Sequence, residues 1–114
     1  MFLRISQING CAYCIDMHTK ALNKSGMSWD KIVLTPVWHE SGTLFSEKEK
    51  AALHWAECLT LIAQQGAPDA CYAALTTEFS EKEIVDLNIA IGLMNTYNRM
   101  AISLKKLPAS ANQS

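Results

Sequence analysis

Two short tetrapeptides constrain this chain more than anything else in it. Ser46-Glu47-Lys48-Glu49 and Ser80-Glu81-Lys82-Glu83 each place a serine three residues before a glutamate. At that spacing the hydroxyl accepts from the third helical amide while the carboxylate reaches back to the serine amide, so both mark helix starts. Behind the first, Ala52, Trp55, Ala56, Leu59 and Ile62 recur at helical spacing and predict a helix ending near Gly66. Behind the second, the pattern runs to about Leu104, before Pro108, and predicts the longest helix.

The remaining punctuation is also helical. Phe2, Leu3, Ile5 and Ile8 form a short apolar-periodic segment that Asn9-Gly10 stops. A second helix starts near Cys11 and runs to Asn23 or Lys24, ended by Ser25-Gly26. Ser28 caps a short helix carrying Trp29, Ile32 and Val33, which Pro36 interrupts before a loop over 40–43. Pro68 opens a segment through Cys71, Tyr72 and Leu75 to Phe79. Strand-like alternation is missing. Six helical segments with short loops predict an all-α fold, a single domain over 1–108 with a frayed tail over 109–114. The two Ser-Glu-Lys-Glu starts are too local to establish an internal repeat. No capping residue precedes Phe2, which leaves the first amides to water and reads as a domain lacking part of its N-terminal helix.

Composition excludes several classes. With 49% hydrophobic and 18% charged residues the chain is globular, and a net charge of −1 with scattered Lys and Arg offers no nucleic-acid surface. No apolar run reaches the roughly 20 residues that cross a bilayer, and the start lacks the features of a signal peptide. The expected compartment is therefore the cytosol. In that reducing setting a C-x-x-C pair is redox-active or metal-binding rather than structural.

The chemistry concentrates in Cys11-Ala-Tyr-Cys14-Ile-Asp-Met-His18. On a helix the two thiols lie one turn apart and the imidazole follows one turn after Cys14, all on one side. A thiolate is the attacking species in disulfide chemistry, so a base beside a dithiol points to redox work. Cys11, after Asn9-Gly10, falls in the first turn, where amide dipoles favour an anion; Cys14 has His18 instead. Spacing alone leaves open which thiol attacks. Zinc is the rival, but no second short-spaced pair exists, and His39, His54, Cys58 or Asp16 would complete a site only by tertiary accident. No metal and no cofactor are expected. Cys58 and Cys71 show no paired spacing and read as inert core thiols, with His54 a surface or packing residue. Met94 and Met100 read as packing groups. Asn95, Asn98 and Arg99 sit among apolar residues of the last helix, where buried hydrogen bonds and catalysis explain them equally well.

These residues resemble the alkylhydroperoxidase AhpD-like proteins of the carboxymuconolactone decarboxylase family. The likeness is strongest over Arg4–His18 and continues through Trp38-His39-Glu40, Phe45–Glu57 with Thr60, and Asn95-Thr-Tyr-Asn-Arg99. It implies a compact helical fold that oligomerises through helix packing, often as trimers or hexamers. It also implies thiol-dependent reduction of hydroperoxides. By position, Cys14 would be the peroxidatic thiol, Cys11 the resolving one and His18 the proton relay. A dithiol such as a lipoyl group would serve as reductant, and Tyr13, His39 and Glu40 would be accessory groups. No nucleic acid or membrane partner is implied. Two departures stand out. The relay's far glutamate belongs twelve positions before Cys11, ahead of Met1, with Glu40, Glu57 or Asp16 as substitutes; and Tyr13 stands where better-characterised peroxidases carry histidine. Alternative readings are a disulfide carrier for a separate peroxidase, a non-catalytic oligomeric helical protein, and a carboxymuconolactone decarboxylase-like enzyme.

Overall fold

The computed structural model describes residues 1–111, and every regular element among them is helical. In chain order these are α1 (Phe2–Asn9), α2 (Ala12–Lys24), α3 (Trp29–Leu34), a 3₁₀ segment (Thr35–Glu40), α4 (Glu47–Thr60), α5 (Ile62–Gln65), α6 (Asp69–Glu78) and α7 (Glu81–Ser103). Both Ser-Glu-Lys-Glu boxes close as expected. Glu49 N donates to Ser46 Oγ at 3.1 Å while Ser46 N donates to Glu49 Oε1 at 2.9 Å. Ser80 and Glu83 repeat the exchange at 3.2 and 2.9 Å. Lys31 adds an ion pair to Glu49 at 2.7 Å, which ties α3 to the start of α4. Burial pushes the Glu49 carboxyl up, but bonds from Lys31 and Ser46 outweigh it and hold the group below its ordinary value.

One expected helix is two. The chain leaves helical geometry at Leu61 (φ −103°, ψ 27°), so α4 ends at Thr60 and α5 is a single turn docked on it. Ile62, expected on the core face, is 53% exposed, because the break turns it off the buried row of Trp55, Ala56 and Cys58. Pro36 does interrupt α3, and the chain continues as a 3₁₀ turn with the proline in its first turn, where no amide donor is required. The frayed tail expected over 109–114 is only partly described: Ala111 N donates to Pro108 O at 3.0 Å, and 112–114 lie outside the described residues.

The short α1 is the hub, packed against α2, α4 and α7. Its Leu3, Ile5 and Ser6 are buried, and Ile5 joins Trp55, Ala56, Leu75, Ile84, Ile91 and Met94 in the main core. A satellite cluster of Trp38, Phe45 and Leu53 closes the 3₁₀ end. The hub is pinned by side-chain amides. Asn9 Nδ2 donates to both Asn95 Oδ1 (2.9 Å) and Asn98 Oδ1 (3.0 Å). Asn98 Nδ2 donates to Ser6 Oγ (3.1 Å), and Asn95 Nδ2 to Thr60 Oγ1 (3.2 Å) and to Ile91 O (3.0 Å). The asparagines of α7 are therefore structural hydrogen-bonding groups, which is why poor helix formers occupy these positions. Arg99, by contrast, is exposed.

Removing one member of such a knot leaves others unpaired away from water, at a cost of about 2–3 kcal/mol. Asn98→Ala should therefore lower the unfolding free energy by that amount, read as a lower urea midpoint at unchanged slope. Thr96→Ala, which removes only an exposed hydroxyl on the same helix, should stay within about 0.5 kcal/mol. Equal midpoints for the two variants would show that the knot contributes nothing.

Candidate redox site

The site begins with the way α1 stops. Gly10 adopts a left-handed conformation (φ 74°, ψ 35°), and its amide and that of Cys11 both return to Ser6 O, at 2.9 and 3.0 Å. This turn delivers Cys11, extended at φ −88° and ψ 99°, as the N-cap of α2. Its sulfur occupies the place of a capping oxygen and accepts from Cys14 N at 3.2 Å. Cys11 and Cys14 are joined as a disulfide, with Cα atoms 5.2 Å apart. When the bond is reduced, the same amide and the α2 dipole favour a thiolate at Cys11.

Both sulfurs belong to buried residues, Cys11 at 1% and Cys14 at 3% exposure, but of the two only Cys14 walls a cavity, of about 340 Å³. The cavity is apolar: Met17, Met94 and Met100 line it with Tyr97 and Leu104. Tyr13 forms part of the wall, its ring 4.3 Å beneath the Lys106 ammonium. Met94 packs in the core as expected, but Met100 is half-exposed and faces this space.

His18 is half-buried one turn after Cys14. Its Nε2 lies 3.3 Å from Met94 Sδ and its ring 5.9 Å from that of Phe2. Met94 stands between the two: it walls the cavity with Cys14 and meets the imidazole, while His18 itself lines a separate cavity with Met1, Phe2 and Leu3. Burial, and secondarily the charge of the Met1 amine, lower the His18 pKa from its ordinary 6.5. A neutral imidazole is a base ready to accept a proton.

The other anticipated groups lie apart. His39 and Glu40 sit exposed at the end of the 3₁₀ turn, with the His39 ring edge-on to Trp38. Asp16 pairs with Lys20 at 3.0 Å. Glu57 is engaged by Arg4 Nε at 2.7 Å and Trp38 Nε1 at 3.2 Å, binding α1 and the 3₁₀ turn to α4.

A second sulfur pair went unanticipated. Cys58 Sγ and Cys71 Sγ lie 3.3 Å apart, both buried, so neither is the isolated thiol that their spacing suggested. Burial first, then hydrogen bonding with Cys58, pushes the Cys71 thiol up to about 12. One sulfur pair is thus placed for thiolate chemistry, whereas in the other burial holds Cys71 protonated.

Comparison with known proteins agrees with this geometry. The sequence model of the Carboxymuconolactone decarboxylase family matches residues 2–57, the segment that holds Cys11, Cys14 and His18. The uncharacterised protein YdfG of Bacillus subtilis is 39% identical over 108 residues, 95% of this chain and 73% of its own length. The uncharacterised protein YnjA of Escherichia coli is 30% identical over 92 residues, 81% of this chain, which spans only half of YnjA. A crystal structure from Agrobacterium tumefaciens superposes with a TM-score of 0.90 at 43% identity, covering 94% of this chain and 73% of the other. That protein is described as one of unknown function and a candidate antioxidant defence protein AhpD. Among the described residues no helix is long and apolar enough to cross a membrane.

Proton titration of His18 followed by NMR should give a midpoint below 6.5. The sign follows from linkage. The fold disfavours the imidazolium, so the unfolded chain binds more protons in this range and stability falls as pH drops below 6.5 toward the folded midpoint. A midpoint at or above 6.5 would contradict the burial argument.

Proposed function

Since the chain belongs to the carboxymuconolactone decarboxylase family and is AhpD-like, we propose that it reduces hydroperoxides through the Cys11–Cys14 pair. The observation that carries this reading is a helix-capping disulfide of which one residue, Cys14, walls an apolar cavity. Such a cavity suits the alkyl chain of an organic hydroperoxide.

The Cys14 thiolate attacks the terminal peroxide oxygen. The O–O bond breaks, the alkoxide leaves as an alcohol by taking the proton that His18 accepted from the Cys14 thiol, and Cys14 becomes a sulfenic acid. Cys11, whose thiolate the Cys14 amide favours, attacks the sulfenic sulfur; water leaves and the disulfide forms. The described conformation corresponds to this oxidised state. A dithiol reductant of the lipoyl type restores both thiols by exchange and itself becomes a disulfide. His18 acts as the proton relay, and Tyr13 shapes the cavity. His39 and Glu40 are too exposed at the far turn to serve more than an accessory part.

The chain also acts as a homo-oligomer in this reading. Val85, Ile89, Leu93 and Tyr97 recur every four residues along α7 and are each half-exposed, and Trp29 is 57% exposed on α3. Single exposed apolar residues are ordinary, but a continuous stripe along one helix marks an association surface.

Purified protein with dihydrolipoamide should consume an alkyl hydroperoxide, and Cys14→Ser should abolish turnover. Cys11→Ser should allow one oxidation and trap the sulfenic acid. The acid limb of the rate should follow the lowered His18 pKa. Folded, fully reduced protein that exchanges with dihydrolipoamide but leaves peroxide untouched would favour the carrier role. Leu93→Lys, in the middle of the stripe, should convert the oligomer to monomer by light scattering without loss of helicity. A wild-type chain that is already monomeric would remove the association surface.

A further inference from the structure

The cluster that the redox proposal leaves unused lies between α4 and α6. His54 and Cys58 are one turn apart on α4 and so share a helix face; Cys71 faces them from α6. One nitrogen of His54 and the two sulfurs all lie within 4.8 Å of one another. Cys58 and Cys71 are buried and His54 is exposed. A cavity of about 210 Å³, bordered by Trp38, Glu47, Lys50 and Glu78, opens onto His54 and Cys71. It shares no lining residue with the cavity at Cys14.

We propose that His54, Cys58 and Cys71 form a zinc site, with a fourth coordination position open to this cavity. Three considerations support the assignment. The donors are one imidazole and two thiols, the set that selects zinc over hard cations such as magnesium or calcium. The sulfur separation of 3.3 Å is near the roughly 3.7 Å that tetrahedral zinc imposes at about 2.3 Å per bond, and far from the ~2.05 Å of a disulfide. The ion therefore enters with a small outward movement of the sulfurs, and the exposed His54 side chain is free to close on it from within 4.8 Å. Finally, buried sulfurs behind an exposed imidazole give an entry path from solvent, with space for a water ligand. Binding replaces the two thiol protons with one divalent cation and staples α4 to α6. The site involves neither Cys11 nor Cys14, so it stands or falls separately from peroxide reduction.

The test uses the full chain, freed of metal, with the Cys11–Cys14 disulfide kept oxidised so that only Cys58 and Cys71 remain as thiols. Cobalt(II) is the probe. One equivalent should produce thiolate-to-cobalt charge transfer and the intense d–d bands of tetrahedral coordination, and zinc should bleach both. Cys71→Ser and Cys58→Ser should each lose the charge-transfer intensity of one thiolate and weaken binding by roughly a hundredfold. His54→Gln alters an exposed side chain whose ring touches only the edge of the core at Trp38, so it guards against variants that merely unfold. It should weaken binding by about tenfold or more with an unchanged circular dichroism spectrum. Zinc should also raise the thermal midpoint of the wild type but not of the double serine variant. No stoichiometric uptake would overturn the proposal. So would uptake that survives loss of both thiols, or conversion of Cys58 and Cys71 to a disulfide in place of binding.

Discussion

The amide knot at the end of α1 is the constraint from which the rest follows. An eight-residue helix is too short to be stable alone, so α1 persists only because its neighbours hold it. Asn9, at its C-terminus, is bound on one side to two residues of α7, and through Asn95 the same network reaches Thr60 on α4. Three helices are thereby registered at one point, two residues before Cys11. Gly10 then turns the chain, and the first sulfur arrives at the start of α2 in capping position. Apolar packing alone would hold α1 against α7 but would tolerate sliding. Directional bonds do not.

Much of this was legible because it is local. Both capping boxes, the Asn-Gly stop and the Ser28 cap act within four residues, and each formed where the sequence predicted it. The placement of Cys11 at the start of a helix was equally local. What escaped was non-local or weak. The break at Leu61 has neither Gly nor Pro to announce it, and apolar periodicity continues across it to Ile62. The contacts among Cys58, Cys71 and His54 depend on how α6 returns against α4, which no spacing rule encodes. A search for paired cysteines or paired histidines also passes over a histidine four residues before a cysteine, although on a helix that spacing brings two ligands to one face. Asn95 and Asn98 stand out as poor helix formers among apolar residues, but their partner Asn9 lies almost ninety residues away.

The chain carries two sulfur pairs with opposite electrostatics. At Cys11 an unpaired amide at a helix start donates to sulfur, so negative charge there is stabilised. At Cys71 burial against the main core penalises the charged form, and the neighbouring thiol supplies a hydrogen bond to the neutral one. The difference lies in the surroundings, since the residue type is the same. If the first pair does the proposed redox work, this difference would keep the two pairs apart, as a chain with four cysteines needs if wrong disulfides are to be avoided. A divalent cation at the second pair would reverse its electrostatics locally without touching the first.

The surface around Cys14 links the chemistry to assembly. The apolar cavity beside that sulfur is open, and Tyr97, one of its walls, also belongs to the exposed stripe of α7. A second copy laid on that stripe would cover the cavity mouth as well as the helix face. The consequence is electrostatic. In the proposed peroxide reduction, with water reduced, the proton that neutral His18 accepts from the Cys14 thiol would pass on to the alkoxide, and the sulfenic sulfur would meet Cys11 before any outside thiol. In the proposed oligomer the apolar stripe would thus double as the enclosure of the proposed dithiol reaction. On that argument the half-exposed residues of α7 belong to the reaction's surroundings as much as to an interface.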